Sequence, residues 1–235
     1  MKKYPLLEIC VETLEMAVAA EQGGADRIEL CENLLEGGVT PCRDLMRSVR
    51  AQVHFPVFAM VRPRGGDFFY STREYIVMIR AIAMAKDDGM DGVVLGVLHA
   101  DQRIDIKRTR ELIDMARPLP VTFHRAFDET TNLLQALENV IATGAARILT
   151  AGGKTSAVEG SSPIAELVEA ARNRIGILPG GGISGANIEC LLQRTRAREF
   201  HSGLSTVLPY PQTNPAAFEA EVRRLAEALR KHLIQ

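Results

Sequence analysis

Short apolar runs alternate with amphipathic stretches along the whole chain, in a pattern that predicts repeated strand–helix units. Strands are predicted at residues 6–11, 27–31, 57–62, 92–98, 120–127, 147–151, 175–179 and 198–202. Helical periodicity predicts helices at residues 14–22, 43–52, 73–87, 108–117, 133–143, 164–172 and 186–194, with a C-terminal helix at about 215–233. The chain is therefore predicted to alternate strand and helix from one end to the other.

Glycine marks three of the joins between a helix and the next strand. Gly24, Gly89 and Gly144 each follow a helical pattern and precede an apolar run. Glycine adopts the left-handed conformation that ends a helix and turns the chain back toward a sheet. Eight such units predict an α/β fold, a TIM-type (β/α)8 barrel, formed by residues 1–235 as a single domain. A doubly wound open sheet is disfavoured, because no G-x-G-x-x-G turn follows the first strand and eight strands suffice to close a barrel.

Strand alternation predicts which side chains face the barrel interior. Apolar residues at every second position pack on the helices, and the remaining residues point inward. The predicted inward set is Glu8, Cys10, Glu29, Cys31, Met60, Arg62, Arg64, Thr122, His124, Asp128, Thr150 and His201, and Arg125 is placed beside it at the mouth. Charged groups are costly to bury together without a purpose, and sites in these barrels form where the strands end. We therefore predict a functional pocket, with a structural ion-pair network as the alternative.

The charge balance and the hydropathy of the chain restrict the possible partners. The sequence has 28 basic and 29 acidic residues and a formal charge of −1, without the clustered basic face that nucleic-acid binding needs. No segment approaches the roughly 18 uninterrupted apolar residues of a membrane span, and Glu8 interrupts the first apolar run before it could serve as a signal sequence. We expect a cytoplasmic protein that binds neither nucleic acid nor membrane, with its four cysteines reduced.

The unit Glu-x-Cys occurs twice, as Glu8-Ile9-Cys10 and Glu29-Leu30-Cys31. The two units fall on predicted neighbouring strands about 4.8 Å apart, so the thiols would face each other. Two thiols form a soft site that selects Cu(I) over hard ions. Spacing alone favours the simpler interpretation that both cysteines are small buried residues, because two ligands without a third are a weak metal signal.

A second group of residues suits an anionic ligand. Arginine offers forked donors for carboxylate or phosphate, and glycine-rich turns expose backbone N–H groups. The anion-binding candidates are Arg62, Arg64, Arg125, Gly152, Gly153, Gly181 and Gly182. The glycines are equally consistent with tight turns that need their conformational freedom. A small phosphorylated or carboxylated metabolite is the partner that this group predicts.

Catalytic roles follow if the pocket is that of an enzyme. Glu29, His124 and Asp128 would supply a base, an acid and an orienting carboxylate next to Arg62, for proton transfer beside a carbonyl or an aldol-type step. No lysine occupies an inward position, which argues against Schiff-base chemistry. The loop at residues 64–71 is either a lid hinged at its glycines or a fixed loop that caps the barrel rim.

Several long motifs match a known family in order, from residue 6 to about residue 206. They are Glu8-Ile9-Cys10, Gly24-Ala25-Asp26-Arg27-Ile28-Glu29-Leu30-Cys31, Glu36-Gly37-Gly38-Val39-Thr40-Pro41, Arg62-Pro63-Arg64-Gly65-Gly66-Asp67-Phe68 and Thr122-Phe123-His124-Arg125-Ala126-Phe127-Asp128. With them the sequence resembles the CutC copper-homeostasis family. The segment at residues 203–211 corresponds only loosely.

The resemblance implies a cytoplasmic (β/α)8 barrel that forms a homo-oligomer, a dimer or a tetramer, and handles copper. It places the proposed Cu(I) ligands of the family on Cys10 and Cys31. Copper is then the expected metal, and no organic cofactor is predicted. The alternative is a lyase, isomerase or aldolase-like enzyme acting on a small anionic metabolite, and whether the protein is an enzyme stays open.

Overall fold

Eight parallel strands form the wall of a barrel in the computed structural model, which describes residues 4–204, 207–208 and 213–232. The strands are β1 Leu6–Val11, β2 Arg27–Leu30, β3 Val57–Met60, β4 Gly92–Leu95, β5 Val121–Phe123, β6 Arg147–Thr150, β7 Gly176–Pro179 and β8 Glu199–Ser202. Each strand from β1 to β6 pairs with the next one in sequence, and β8 pairs back on β1 with His201 opposite Glu8. Because β7 also packs beside β8, the cylinder is nearly closed, and the predicted barrel is confirmed.

Helices cover the outside of the barrel. They are α1 Leu14–Gly23, α2 Arg43–Gln52, α3 Thr72–Asp87, α4 Ile106–Ala116, α5 Leu133–Thr143, α6 Ser161–Ala171, α7 Ile188–Thr195 and α8 Pro215–Arg230. Short 3-10 helices at Leu34–Glu36 and Arg125–Glu129 lie in the loops that follow β2 and β5. The C-terminal helix ends three residues before the predicted boundary at 233, a position outside the described residues. None of the helices in the described ranges has the length and apolar character that crossing a bilayer requires.

The local chemistry of the joins explains why the units repeat. Gly24 and Gly144 have φ values of 89° and 87°, in the left-handed region where glycine carries no Cβ penalty. The apolar strand positions that were predicted to face outward pack under the helices, and Ile9 and Ile28 are fully buried there. Alternation then directs the polar positions of β1 and β2 into the barrel.

The fifth strand is shorter than its apolar pattern predicts. The prediction of residues 120–127 was wrong at its C-terminal half, because β5 ends at Phe123 and a 3-10 helix begins at Arg125. The imidazole of His124 accepts a hydrogen bond from the N–H of Ala126 and thereby caps this turn. The position of Asp128 is consequently set by the 3-10 helix and not by strand alternation.

A buried ion-pair network, the alternative predicted for the inward charges, fills the barrel below the mouth. Glu8 is fully buried and pairs with the Arg27 guanidinium, so it supports the structure beneath the pocket instead of lining the mouth. Arg27 also binds Glu199 at 2.9 Å, and Arg147 binds the same carboxylate at 3.2 Å. Both guanidinium groups stack on the ring of Phe58, at 4.8 and 5.0 Å from its centroid. The structural network and the pocket therefore coexist at different depths in the same barrel.

Candidate functional site

A cavity of about 250 Å³ opens where the strands end. Its lining comes from separate βα units and consists of Cys10, Glu29, Leu34, Gly37, Met60, Arg62, Phe68, His124, Arg125, Leu149, Gly181, Gly182, His201 and Gly203. Seven predicted site residues are thus brought together, namely Cys10, Glu29, Arg62, His124, Arg125, Gly181 and Gly182. The other predicted site residues, Cys31, Arg64, Asp128, Gly152 and Gly153, lie outside this lining.

The two thiols touch at the floor of the cavity. The Sγ atoms of Cys10 and Cys31 are 3.4 Å apart, which confirms the predicted juxtaposition, and both residues are free cysteines. Cys31 is fully buried behind Cys10 and packs in one cluster with Met60. The hydrogen bond with Cys31, together with burial, raises the pKa of the Cys10 thiol well above its ordinary value. The floor of the cavity is therefore a sulfur-rich surface on which the Cys10 thiol holds its proton.

A carboxylate and an imidazole stand beside the Cys10 thiol. Potential ligand atoms of Cys10, Glu29 and His201 all lie within 4.8 Å of one another. The Nδ1 atom of His201 lies 2.7 Å from Oε1 of Glu8, and its Nε2 atom lies 3.9 Å from Oε2 of Glu29. These buried polar atoms have the donor types and the spacing of a metal site.

The charges of this group are set by its neighbours. Burial would raise the pKa of Glu8, but Arg27 and His201 outweigh burial and lower it to about 2. Burial would lower the pKa of His201, but Glu29 and Glu8 raise it above its ordinary value. Burial raises the pKa of Glu29. Ionised Glu8 accepts the Nδ1–H of His201, so in the neutral ring Nε2 is the free electron-pair donor.

His124 is held as a neutral imidazole. Burial and then the charge of Arg62 lower the pKa of His124 to about 3. Because Nδ1 accepts the Ala126 N–H at 3.2 Å, the ring proton is on Nε2, which is buried with no hydrogen-bond partner in the described part of the chain. The ring packs on Phe68, with 4.8 Å between centroids. At neutral pH this side chain is therefore an uncharged hydrogen-bond donor.

Arg62 is a buried cation in the wall of the cavity. It is 4% exposed, and its guanidinium donates to the carbonyls of Glu36, Gly38 and Gly66 at 2.8, 3.0 and 2.7 Å. Its guanidinium also stacks on the Phe68 ring at 4.8 Å. The loops on both sides of Arg62 therefore hold its charge in one position.

Arg64 has a different role from Arg62. Its guanidinium binds the carboxylates of Glu74 at 2.6 Å and Asp67 at 3.0 Å, and it donates to the Phe69 carbonyl. Tyr70 of the same loop is buried in the core. These contacts favour the fixed-loop interpretation of residues 64–71 over the lid.

Asp128 occupies the backbone donors that were predicted for an anionic ligand. Its carboxylate accepts hydrogen bonds from the N–H groups of Ala151 and Gly153, the Thr150 hydroxyl and the Arg125 guanidinium. The N–H of Gly152 is bound to the Thr150 hydroxyl at 2.8 Å. A carboxylate of the chain itself therefore fills the turn after β6, and Asp128 positions this turn.

We expect Asp128→Asn to lower the free energy of unfolding by about 2–4 kcal/mol, since hydrogen bonds to charged groups are worth roughly 1.5–3 kcal/mol each. The amide also turns an NH2 group toward backbone N–H donors. Urea unfolding followed by circular dichroism measures the loss. Asp101→Asn is the control, because Asp101 is solvent-exposed and binds the exposed Arg103. Equal stability of the two variants would contradict this role of Asp128.

The turn after β7 is open to the cavity, unlike the turn after β6. Gly181 and Gly182 line the cavity with φ values of 104° and 71°. Across the residues that the structure describes, their backbone N–H groups donate no hydrogen bond. The Arg125 guanidinium stands beside Gly181 and is partly exposed. The rim of the cavity thus presents donors on this side.

Comparison with known proteins decides the family. The family model described as "CutC family" matches residues 5–206. The chain belongs to the CutC family. A human CutC relative, named copper homeostasis protein cutC homolog, is 50% identical over 196 residues, which are 83% of this chain and 72% of the relative. A CutC family protein of Chromobacterium violaceum is 41% identical over an alignment of 245 residues, gaps included. The alignment covers 96% of this chain and 98% of the relative.

A solved CutC structure agrees with the fold. The crystal structure of the Streptococcus agalactiae CutC protein is 32% identical and superimposes with a TM-score of 0.81, covering 85% of this chain and 98% of that one. The family resemblance of the sequence motifs is confirmed. Sequence reasoning placed His201 in this CutC barrel but gave it no part in a metal site. Its inward position was visible in the sequence, whereas its contact with Glu8 depends on β8 closing onto β1.

Proposed function

We propose that this protein binds Cu(I) at the thiol pair of Cys10 and Cys31 and serves copper homeostasis in the cytoplasm. The observation that carries the proposal is the 3.4 Å contact between the two Sγ atoms at the floor of an open cavity. Thiolate and thioether sulfur are the ligands that select Cu(I) over hard ions. Relatives named for copper homeostasis, and membership of the CutC family, support the same metal.

The surrounding donors fit this ion. Cys10 and Cys31 would provide two sulfur ligands. The Nε2 atom of His201 would provide a nitrogen as the third ligand. A ligating histidine usually donates its other ring N–H to a carboxylate, which is how His201 meets Glu8. Met60 lies in the same cluster as the thiols and offers a thioether. Glu29 supplies hard oxygen ligands that suit Cu(I) poorly, so we assign it an electrostatic role.

Access to the site would be from the mouth. Cys10 lines the cavity, whereas Cys31 has no exposed surface, so an arriving ion meets Cys10 first. Both cysteines must lose a proton to bind the metal as thiolates.

We expect Cys10→Ser and Cys31→Ser each to abolish the binding of about one Cu(I) per chain, because a hydroxyl is a poor ligand for this soft ion. Anaerobic competition of the reduced protein with a chromophoric Cu(I) chelator measures the stoichiometry. Cys42→Ser and Cys190→Ser are matched controls, since both cysteines are exposed and lie outside the cavity. Unchanged stoichiometry in both buried-cysteine variants would overturn the proposal.

A further inference from the structure

We infer that the mouth of the barrel also binds a small organic oxyanion, a carboxylate or a phosphate ester, with Arg62 as its counter-ion. The inference goes beyond the copper function proposed above and does not depend on it. The site is the part of the cavity lining formed by Arg62, His124, Arg125, Gly181 and Gly182.

Arg62 holds a buried positive charge that no carboxylate of the described residues neutralises. Arg62 and Arg27 are equally buried, each with 4% exposure. Arg27 is paired with the carboxylates of Glu8 and Glu199, whereas no carboxylate of the described residues pairs with Arg62. Three backbone carbonyls satisfy N–H groups of Arg62 but bring no negative charge. A buried cation without a counter-ion is costly, and a bound anion removes that cost.

The other polar groups on this wall are donors. The Nε2–H of His124 is buried and has no partner within the described ranges. The N–H groups of Gly181 and Gly182 likewise meet no acceptor in that part of the chain. A carboxylate or phosphate offers only acceptor oxygens, so its chemistry complements every one of these groups.

Two neighbouring features limit where the anion binds. The turn at Gly152 and Gly153 is closed to it, because Asp128 and Thr150 occupy those N–H groups. Glu29, which would repel an anion, lies beside Cys10 and His201. The positive charge of Arg62 and the free donors come from residues that follow β3, β5 and β7, whereas Glu29 belongs to β2.

The test uses the intact, reduced, copper-free protein. Its backbone amide NMR signals are titrated with inorganic phosphate and, separately, with malonate, at an ionic strength held constant with chloride. We expect saturable shifts of the Gly181 and Gly182 amides with at least one probe. Saturation by phosphate alone assigns phosphate esters, saturation by malonate alone assigns carboxylates, and saturation by both assigns a general oxyanion site. Absence of saturable shifts at these amides with both probes overturns the inference.

Substitutions test which side chains contribute to the binding free energy of the anion. Arg62→Met should weaken binding by about tenfold or more, since it removes the charge-assisted contact. Arg50→Met is the matched control and should leave the affinity unchanged. Arg50 also donates to two backbone carbonyls, but it lies at the opposite end of β3 and is paired with Asp91.

Leu34→Trp tests the site without a change of charge. Leu34 is a partly exposed residue of the cavity lining, so a larger side chain obstructs the mouth. This variant should lose the saturable shifts, and it decides the question if Arg62→Met does not fold. Full affinity in Leu34→Trp, or in folded Arg62→Met, would refute the site. The Cu(I) stoichiometry of Arg62→Met, which leaves the mouth open, separates failure of the anion site from failure of the copper site.

Discussion

We expect Arg27→Met to lower the free energy of unfolding by about 3–5 kcal/mol, the range found when one partner of a buried ion pair is removed. The substitution leaves Glu8, which is fully buried, without its strongest positive neighbour. It also removes a guanidinium group that binds Glu199 together with Arg147. Methionine keeps most of the volume of the side chain, so the loss reports charge and hydrogen bonding more than packing. Urea unfolding at pH 7, monitored by circular dichroism, gives the value.

A double variant distinguishes the free-energy cost of leaving the Glu8 carboxylate without Arg27 from the cost of losing the Arg27 contacts themselves. Arg27→Met combined with Glu8→Gln removes the uncompensated carboxylate, and we expect it to recover about 2 kcal/mol relative to Arg27→Met alone. The amide introduced by Glu8→Gln would still accept the Nδ1–H of His201 through its carbonyl oxygen. Arg174→Met is the surface control and should show no comparable loss, since its pair with Glu138 is half exposed. A double variant no more stable than Arg27→Met would show that charge burial is not the main cost.

We expect the stability of the protein to fall steeply below pH 6.5, and His124→Asn to remove much of this loss. The pKa of His124 is about 3 in the folded protein, against an ordinary value of 6.5. Between these values the unfolded chain binds a proton that the folded chain does not, so unfolding is favoured as the pH falls. The slope is about 1.4 kcal/mol per pH unit, or about 2 kcal/mol between pH 6.5 and 5. Asparagine keeps an oxygen able to accept the Ala126 N–H but does not titrate.

The measurement is the difference between the wild type and His124→Asn in unfolding free energy at pH 6.5 and at pH 5. Other buried groups contribute to the absolute profile. The lowered pKa of Glu8 adds a loss of stability as the pH falls from 4.5 toward about 2, below the tested window. The raised pKa values of His201 and Glu29 give stability that is lost as the pH rises. These three groups occur in both proteins, so parallel profiles from the two proteins would refute the assignment to His124.

The barrel could be predicted from the sequence because its signals are local. The strand β1 and the helices α2 and α5 have the bounds that the apolar pattern predicts. The largest error in a strand boundary lies where a side chain competes with the backbone ladder. The apolar run after Pro120 predicts strand up to Phe127, but the imidazole of His124 caps a 3-10 turn and ends the strand early.

The candidate site was only partly predictable. Alternation along β1 and β2 was sufficient to bring Cys10 and Cys31 together, since neighbouring parallel strands keep a fixed register. Alternation did not distinguish Arg62 from Arg64, because the different contacts of these two side chains depend on the loops that surround them. The first is buried against three carbonyls and the second is tied to Glu74.

The sequence by itself determined the order of strands and helices, the inward position of the two thiols and the family. These follow from periodicity, from glycine at the joins and from long motifs, all of which are contained in short stretches of chain. Only the tertiary structure decided which charges are paired. The contact of His201 with Glu8 spans 193 positions and exists because the cylinder closes. The hydrogen bond from the Gly153 N–H to Asp128 likewise depends on where separate loops meet in space. The same is true of Arg62, which has no carboxylate partner among the described residues.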